Sequence, residues 1–272
     1  MAEIKRVVIG KRLAYFRQAA SAEYWDEVWS GQDSQQLYEQ AARGELGYYE
    51  DIFPKYLPKE GRIIEAGSGL GQFVIALRAR GYTVDGVDYG RKTVEALRQR
   101  FPDQPFRWGD VTQLDVPDGY YQGYISLGVM EHRQEGPEPF LSEANRMLGT
   151  GGVALISIPF LNGLRRLKMS LGFFGRTPPA DLAFYQYAYS PVEFDEYLQR
   201  AGFSVIAHHQ YGGYKGVKDE LPFLTRFFKT PELGRRLQRF LMNWGWAEHH
   251  MGHMLMYVCQ KSSAQRKKPL YL

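Results

Sequence analysis

The sequence is poor in cysteine and has no long hydrophobic run. Its 272 residues include a single cysteine, Cys259, which excludes a disulfide within the chain. No apolar segment near the N-terminus resembles a signal peptide, and none is long enough to span a bilayer. We therefore expect a cytoplasmic, soluble protein without a transmembrane segment, for which peripheral contact with a membrane stays open.

Several catalytic signatures are also missing. The chain has no glycine-lysine phosphate loop, and Gly67-Ser68-Gly69 lacks the residue that separates glycine from serine in a nucleophile elbow. His249, His250 and His253 lie close in sequence, but no His-Glu-x-x-His pattern or suitably spaced carboxylate accompanies them. We therefore predict no metal site.

The formal net charge is only +4, from 34 basic and 30 acidic side chains. A charge of this size does not indicate binding to nucleic acid unless it is clustered. At 272 residues the chain can bury a full core, and it contains no internal repeat or low-complexity tract. We therefore predict one domain with insertions and no nucleic-acid partner.

Residues 62–77 carry the strongest signal in the chain. They begin with a short apolar run that suits a buried parallel strand, and they end with apolar residues at helical spacing. Between these two parts lie Gly67, Gly69 and Gly71, which allow a sharp turn and a close approach of the backbone to a ligand. The start of the following helix offers unpaired N–H groups. This stretch therefore predicts a cofactor site.

The type of cofactor follows from the spacing of these glycines. A dinucleotide site needs glycine at the sixth position of the motif, where this chain has Gln72. Glu65 places a carboxylate at the strand end, where it would repel a pyrophosphate but could receive an amino group. These features favour a cofactor with a cationic amino-acid moiety, and a nicotinamide-dependent oxidoreductase is the alternative.

A second acid ends the next predicted strand, Tyr82–Asp88. The separation of Asp88 from Gly71 is close to the offset of about 20 residues at which a strand-end carboxylate meets ribose hydroxyls in nucleotide-binding folds. We therefore assign Asp88 to the ribose of the cofactor.

The segment Glu65–Gly71 resembles the acidic-x-Gly-x-Gly-x-Gly motif of class I S-adenosylmethionine-dependent methyltransferases. Further along, Tyr121–His132 is similar to the signature of the small-molecule branch of this family, an apolar strand followed by a Glu-His pair. Arg146–Gly152 resembles the Arg-x-Leu-x-x-Gly-Gly turn of the same branch. One position departs from the pattern, since Gln122 stands where the family usually has aspartate.

This resemblance implies a Rossmann-like, doubly wound α/β sheet of seven strands whose last strand is antiparallel. It also implies S-adenosyl-L-methionine as the cofactor, with Asp110 and Val111 at its adenine. We expect the following residues to contact the cofactor: Glu65, Gly67, Ser68, Gly69, Gly71, Asp88, Tyr89, Asp110, Val111, Leu127 and Gly128.

The remaining stretches lie outside this core. Residues 1–60 are predicted to form an N-terminal helical cap, while residues 61–210 and 254–260 form the cofactor-binding core. The segments 160–188 and 211–253 are predicted to be helical lid insertions of the same domain. Both follow the carboxyl ends of parallel strands, which is the side on which ligands bind in open α/β sheets.

Methyl transfer from a sulfonium needs no acid, because the leaving group departs neutral, and positioning supplies most of the rate. A hydroxyl acceptor would also need a base. In the resembled family the exit loop of the fourth strand faces the methyl group, so His132 is the candidate for this role. The acceptor-binding side chains are predicted to be Tyr24, Trp25, Tyr185, Tyr187 and His209.

The predicted lids are rich in aromatic and basic residues, which favours a small-molecule acceptor that is apolar, anionic or lipid-like. The sequence leaves open whether oxygen, nitrogen or carbon is methylated, and it does not indicate the oligomeric state. A non-catalytic binding module that keeps the cofactor fold is a further alternative.

Overall fold

The computed structural model describes residues 4–221 and 251–262 and, between them, Glu232, Gly234 and Arg236. Ten strands are assigned in this part of the chain: β1 Lys5–Ile9, β2 Arg12–Arg17, β3 Arg62–Ala66, β4 Thr83–Asp88, β5 Phe106–Trp108, β6 Tyr121–Leu127, β7 Leu148–Pro159, β8 Ala183–Ala188, β9 Phe203–Tyr211 and β10 Met254–Lys261. The α-helices in the same part are α1 Ala22–Ser30, α2 Gln35–Ala42, α3 Phe53–Tyr56, α4 Gln72–Ala79, α5 Arg91–Arg100, α6 Glu138–Met147, α7 Gly163–Ser170, α8 Pro191–Arg200 and α9 Gly213–Glu220.

Seven strands form a central sheet in the order β5-β4-β3-β6-β7-β10-β9. β3 pairs in parallel with β4 and β6, and β7 continues the parallel part on the far side of β6. β10 is antiparallel to both of its neighbours, β7 and β9. This is the predicted seven-stranded Rossmann-like sheet with an antiparallel last strand, so the predicted fold class is confirmed.

Each face of the central sheet is covered by helices. On one face, sheet residues such as Ile63 and Val84 pack against Val74 of α4 and Leu97 of α5. On the other face, residues such as Ile64 pack against α6 and α8. Because β3, β4 and β6 are buried on both faces, the loops at their carboxyl ends are the parts that remain open to a ligand.

β1, β2 and β8 form a second sheet of three strands, which we call the auxiliary sheet. The all-helical cap predicted for residues 1–60 is therefore wrong for Lys5–Arg17, although α1 to α3 follow. β1 and β2 contain β-branched and aromatic residues that favour strands. Gly10, with φ of +60°, opens a two-residue turn that pairs Ile9 with Arg12, as in a type II′ hairpin.

The first predicted lid is also only partly helical. Residues 160–188 contain α7, but β8 within the same segment pairs antiparallel with β2 to complete the auxiliary sheet. Three of the six residues of β8 are aromatic, which favours a strand that can join an existing edge. Of the second predicted lid, the structure describes residues 211–221 and 251–253 with Glu232, Gly234 and Arg236, and the rest lies outside the described residues.

One buried carboxylate joins the auxiliary sheet to the lid helices. Glu220, at the end of α9 and 1% exposed, lies 2.7 Å from Nη1 of Arg6 on β1. It also lies 3.0 Å from Nε of Arg165 and 3.1 Å from Nζ of Lys168, both on α7. Arg165 is fully buried. Three cations on one carboxylate therefore connect β1, α7 and α9 in the interior.

Candidate cofactor and acceptor site

The loop after β3 has the backbone that the glycine spacing predicts. Gly67, Gly69 and Gly71 have φ values of +83°, +49° and +72°. A Cβ on Gly67 would lie 2.4 Å from Val129 Cγ2, and a Cβ on Gly71 would lie 2.5 Å from the Phe106 ring. Both the left-handed backbone and the lack of space therefore require glycine at these two positions.

Two buried polar atoms beside this loop lack a hydrogen-bond partner among the described residues, Oε2 of Glu65, near the end of β3, and Oγ of Ser68. Burial raises the pKa of Glu65 well above its ordinary value, a hydrogen bond from the Val74 backbone partly offsets this, and the nearby carboxylate of Asp88 raises the pKa further. A buried carboxyl oxygen without a partner is costly. This position would therefore gain from a ligand that brings a hydrogen-bond donor or a positive charge.

Asp88 ends β4 beside the same loop. Its two carboxylate oxygens accept hydrogen bonds from the backbone N–H of Gly69, at 2.8 Å, and of Gly90, at 2.9 Å. Burial raises the pKa of Asp88, although these backbone donors partly offset the effect. The structure thus places the assigned ribose carboxylate directly against the glycine loop.

The other predicted cofactor residues lie at the carboxyl ends of β4, β5 and β6, or just after them. Tyr89 comes directly after β4, and its hydroxyl donates to the carbonyl of Ala20. Val111 is buried, whereas Asp110 is exposed and accepts from both the backbone N–H and the hydroxyl of Thr112. Leu127 ends β6, and Gly128 follows it with φ of +70°.

The donor and acceptor groups at these strand ends fit S-adenosylmethionine. The unpartnered Oε2 of Glu65 and the Ser68 hydroxyl suit an amino-acid moiety, and the Asp88 carboxylate suits ribose hydroxyls. Glycine at three positions keeps the backbone accessible.

His132 lies in a short 3₁₀ turn after β6, among aromatic rings. Its Nδ1 is 2.7 Å from the carbonyl oxygen of Tyr185. Because a carbonyl only accepts, Nδ1 carries the proton and Nε2 keeps its lone pair. Burial lowers the pKa of His132 to about 4, so the ring is neutral at pH 7.

Glu131, the neighbour of His132, is a site residue that the sequence analysis did not assign. It is 2% exposed, and its Oε2 has no hydrogen-bond partner among the described residues. Its Oε1 lies 4.0 Å from Nε2 of His132. Burial raises the pKa of Glu131 to about 8. The Glu-His pair itself was the available signal, but the sequence does not show which member is buried without a partner.

Three of the predicted acceptor residues surround His132. The ring centroids of Trp25 and Tyr185 each lie 5.0 Å from that of His132, and Tyr24 contacts both of these rings. We call these four residues the aromatic cluster. It joins α1, the loop after β6 and β8.

Tyr187 and His209 are not brought to the aromatic cluster. A β-bulge lies opposite the Tyr15/Phe16 step of β2, so that Tyr185 has no paired residue. Tyr187 instead stacks near Arg12 and donates to the carbonyl of Gln134. His209 lies on β9, where it contacts Tyr56. A period of two residues predicts that Tyr185 and Tyr187 share a face, and the bulge breaks that period.

α1 is held over the glycine loop by contacts that the sequence analysis also missed. The Asp26 carboxylate accepts hydrogen bonds from the backbone N–H and hydroxyl of Thr93, at the start of α5. The Trp29 indole lies so close to Gly69 that an added Cβ would be 3.1 Å from it. Asp26 lies on α1 but caps α5, which is distant in the sequence. No local sequence pattern reveals a contact of this kind.

Within the described residues, no group of three or more histidine, cysteine or acidic side chains could hold a metal ion. No helix in the same part of the chain is long and apolar enough to cross a membrane.

Comparison with known proteins identifies the family. Residues 39–208 match the model of a methyltransferase domain, so the chain belongs to this family, as the sequence motifs predicted. A probable S-adenosylmethionine-dependent methyltransferase of Mycolicibacterium smegmatis is 32% identical over 143 residues, which cover 53% of this chain and 52% of the relative. The chain thus spans about half the length of this curated relative. S-adenosyl-L-methionine is the cofactor that the family implies.

Solved structures show the same fold at low identity. A chain from the complex of a Haloferax volcanii methyltransferase with its Trm112 activator is 17% identical, with a TM-score of 0.57, over 88% of this chain and 98% of that one. A geranyl diphosphate methyltransferase, solved with its substrate and sinefungin, is 12% identical, with a TM-score of 0.55, over 88% of this chain and 98% of that one.

Proposed function

We propose that this protein transfers a methyl group from S-adenosyl-L-methionine to a small-molecule acceptor. The observation that carries the proposal is the pair of buried carboxyl groups, Glu65 and Asp88, beside a glycine loop at the ends of adjacent parallel strands. Family membership supports the same activity. We further propose that all the cofactor residues predicted above serve this site, within a single domain located in the cytoplasm.

The bound cofactor supplies an electrophilic methyl group whose departing sulfur is neutral, so the protein need not protonate a leaving group. The chain's contribution is mainly to position the two reactants. Glu65 would receive the amino group, Asp88 the ribose hydroxyls, and the glycine loop would follow the cofactor closely. Alignment of donor and acceptor can contribute about 7–11 kcal/mol to lowering the barrier.

His132 is proposed to accept a hydrogen bond from the acceptor through Nε2. The bond from Nδ1 to the Tyr185 carbonyl fixes the tautomer that leaves Nε2 available. A pKa of about 4 makes the ring a weak base, so we propose orientation of an acceptor hydroxyl as its main role. A proton that did reach Nε2 would lie near Oε1 of Glu131, at 4.0 Å between the heavy atoms.

The acceptor is proposed to have an apolar or aromatic body. Tyr24, Trp25 and Tyr185 present rings beside His132, and aromatic side chains bind such bodies with large contact area. Two solved relatives of the same fold are described as geranyl diphosphate and possible histamine methyltransferases, which supports a small molecule in general. A lipid-like acceptor that reaches the site through the lids is the narrower form of this proposal.

The proposal is tested with isotopically methyl-labelled cofactor and a panel of acceptors that includes apolar phenols, fatty alcohols, fatty acids and amines. We expect label transfer to at least one apolar acceptor. Tyr185→Ala should lower turnover at least about tenfold, since it removes a ring from the acceptor wall, while affinity for S-adenosylhomocysteine is kept.

Tyr120→Ala serves as the matched control, because Tyr120 is 40% exposed and stacks near Arg62, away from the aromatic cluster. Cofactor binding without transfer to any acceptor would favour the non-catalytic binding module. Loss of cofactor affinity in Tyr185→Ala, with normal turnover at saturating cofactor, would remove Tyr185 from the acceptor site.

A further inference from the structure

α7 has an exposed apolar end as well as a buried inner side. Its inner side is anchored by the fully buried Arg165 and by Met169, which packs partly against the auxiliary sheet. On the outside, Leu167 is 55% exposed, Leu171 is 64% exposed and Phe173 is 70% exposed. An amphipathic helix needs one apolar face to bury. The second set of apolar side chains is exposed, and no described part of the chain buries it.

The chain geometry brings these side chains together. Leu167 and Leu171 are one helical turn apart, and the backbone N–H of Phe173 donates to the carbonyl of Lys168. Gly172, with φ of +75°, completes this Schellman closure, which turns Phe173 back beside the last turn. A Cβ on Gly172 would meet no atom within 4 Å, so this position of the turn borders open space.

The start of the auxiliary sheet adds a fourth apolar residue. Val7 on β1 forms a parallel bridge with Gly175. Because the two segments run in the same direction, the residues just before β1 lie beside the turn that follows α7. Ile4 precedes β1 directly and is 52% exposed. We call Ile4, Leu167, Leu171 and Phe173 the apolar tip.

Most of the apolar tip lies in a basic segment of the chain, and the exposed acid Asp181 near the start of β1 is paired with Lys5 at 3.5 Å. The sequence from Gly163 to Arg176 contains four basic residues and no acidic residue. Two of the four, Arg165 and Lys168, are bound to Glu220. The other two, Arg166 and Arg176, are exposed beside the tip. Protruding apolar side chains with cations at their base match an interface of acyl chains below anionic headgroups.

We propose that the apolar tip inserts into the surface of a membrane that contains anionic lipids. Leu167, Leu171 and Phe173 enter the acyl boundary, while Arg166 and Arg176 meet lipid phosphates. This inference goes beyond the proposed function, and its test needs neither cofactor nor acceptor.

The test is sedimentation of the full chain with vesicles of phosphatidylcholine and phosphatidylglycerol in equal parts, compared with vesicles of phosphatidylcholine alone. We expect binding to the mixed vesicles that weakens as salt rises. The double variant Leu171→Ser with Phe173→Ser should bind at least about tenfold more weakly, because each side chain loses its apolar transfer. Arg166→Gln with Arg176→Gln should bind the mixed vesicles more weakly by about fivefold per cation.

The matched control is Val192→Ser with Ile206→Ser. These side chains are 63% and 52% exposed, on α8 and β9, so they remove similar apolar surface from another place. The control should bind vesicles like the wild type. Because the substituted residues are exposed, unchanged thermal unfolding should confirm that each variant is folded.

Three outcomes would overturn the proposal. The first is no binding of the wild type to mixed vesicles, and the second is an equal loss in the control and tip variants. The third is a concentration-dependent dimer that ignores vesicles and is broken by Leu171→Ser with Phe173→Ser, which would assign the tip to a contact between copies.

Discussion

The central and auxiliary sheets differ in how far apart along the chain their stabilising contacts lie. In the central sheet, β3 and β4 pair in parallel and are joined by a single helix, and they combine apolar packing with an ion pair at 3.5 Å between Arg62 and Asp85. In the auxiliary sheet, β2 and β8 come from distant parts of the chain, and ion pairs connect the sheet to other elements. The Arg12–Glu193 and Arg6–Glu220 pairs span 181 and 214 residues. The predicted cofactor residues lie at strand ends of the central sheet, and the aromatic cluster joins α1, the turn after β6 and β8.

The two halves of the candidate site get their geometry from different sources. Glu65 and Asp88 are placed by the strands that contain them, so local sequence sets their positions. His132 lies in the turn after β6 of the central sheet, but its tautomer is fixed by the backbone of Tyr185 on the auxiliary sheet. Under the role proposed for His132, binding of the acceptor would depend on the long-range contacts that position the auxiliary sheet.

The largest expected effect comes from Glu220, whose ion pairs join β1 of the auxiliary sheet to α7 and α9. Glu220→Gln removes the charge that holds Arg6, Arg165 and Lys168, and it leaves the fully buried Arg165 uncompensated. We expect the free energy of unfolding to fall by about 3–5 kcal/mol, measured by urea denaturation. Glu196→Gln, on the exposed side of α8, should change it by less than about 0.5 kcal/mol. A decrease in the free energy of unfolding as small as that of the control would mean that the Glu220 carboxylate does not stabilise the contact of β1 with α7 and α9.

The second effect concerns Glu131, beside the aromatic cluster, and it depends on pH. The pKa of Glu131 is raised from 4.5 to about 8 by burial, so the folded state holds a proton that the unfolded state has released. Its contribution to stability is full below pH 4.5 and is lost as the pH rises through 8. Below pH 6.5, the lowered pKa of His132 acts in the opposite direction.

The window from pH 6.5 to 8 therefore isolates Glu131 from His132. Across it the wild type should lose about 1–2 kcal/mol more stability than Glu131→Gln, which does not titrate. Urea denaturation at several pH values measures the difference. Parallel curves for the two proteins would show that Glu131 is ionised and solvated in the folded state.

The smallest effect compares two helix starts. Asn162 caps α7 with its side chain, which accepts from the N–H of Arg165 at 2.9 Å, and its amide donates to the Gly252 carbonyl. Ser190 holds the same position on α8 without a side-chain cap bond. Asn162→Ala should therefore cost about 1–2 kcal/mol of stability, and Ser190→Ala close to none. Equal losses in thermal unfolding would contradict this assignment of the caps.

The sequence predicted the central sheet well because its signals are local. The apolar strands, the glycine turn and the acids at two strand ends are each readable within a few residues. The strand in the first lid was missed because it pairs with β2, which lies far away in the sequence. The hairpin at Lys5–Arg17 was missed although its signals are local, namely strand-favouring residues around the Gly10 turn.

The site shows the same limit. The placement of Asp88 against the glycine loop could be argued from spacing alone, but the contacts of Asp26 and Trp29 with the cofactor region could not. Tyr185 and Tyr187 were expected to act together, and one bulge sends them to different neighbours. A bulge depends on the register between β2 and β8, which neither strand encodes by itself.

The central claim is that the polar strand ends of the central sheet bind S-adenosylmethionine. Calorimetry with S-adenosylhomocysteine tests it most directly, with wild type, Asp88→Ala and the exposed control Asp103→Ala, each checked by thermal unfolding. The wild type and the control should bind alike, and Asp88→Ala should bind at least about 100-fold more weakly, since it loses two hydrogen bonds to a charged group. No binding by the folded wild type, or unchanged binding by Asp88→Ala, would contradict the account.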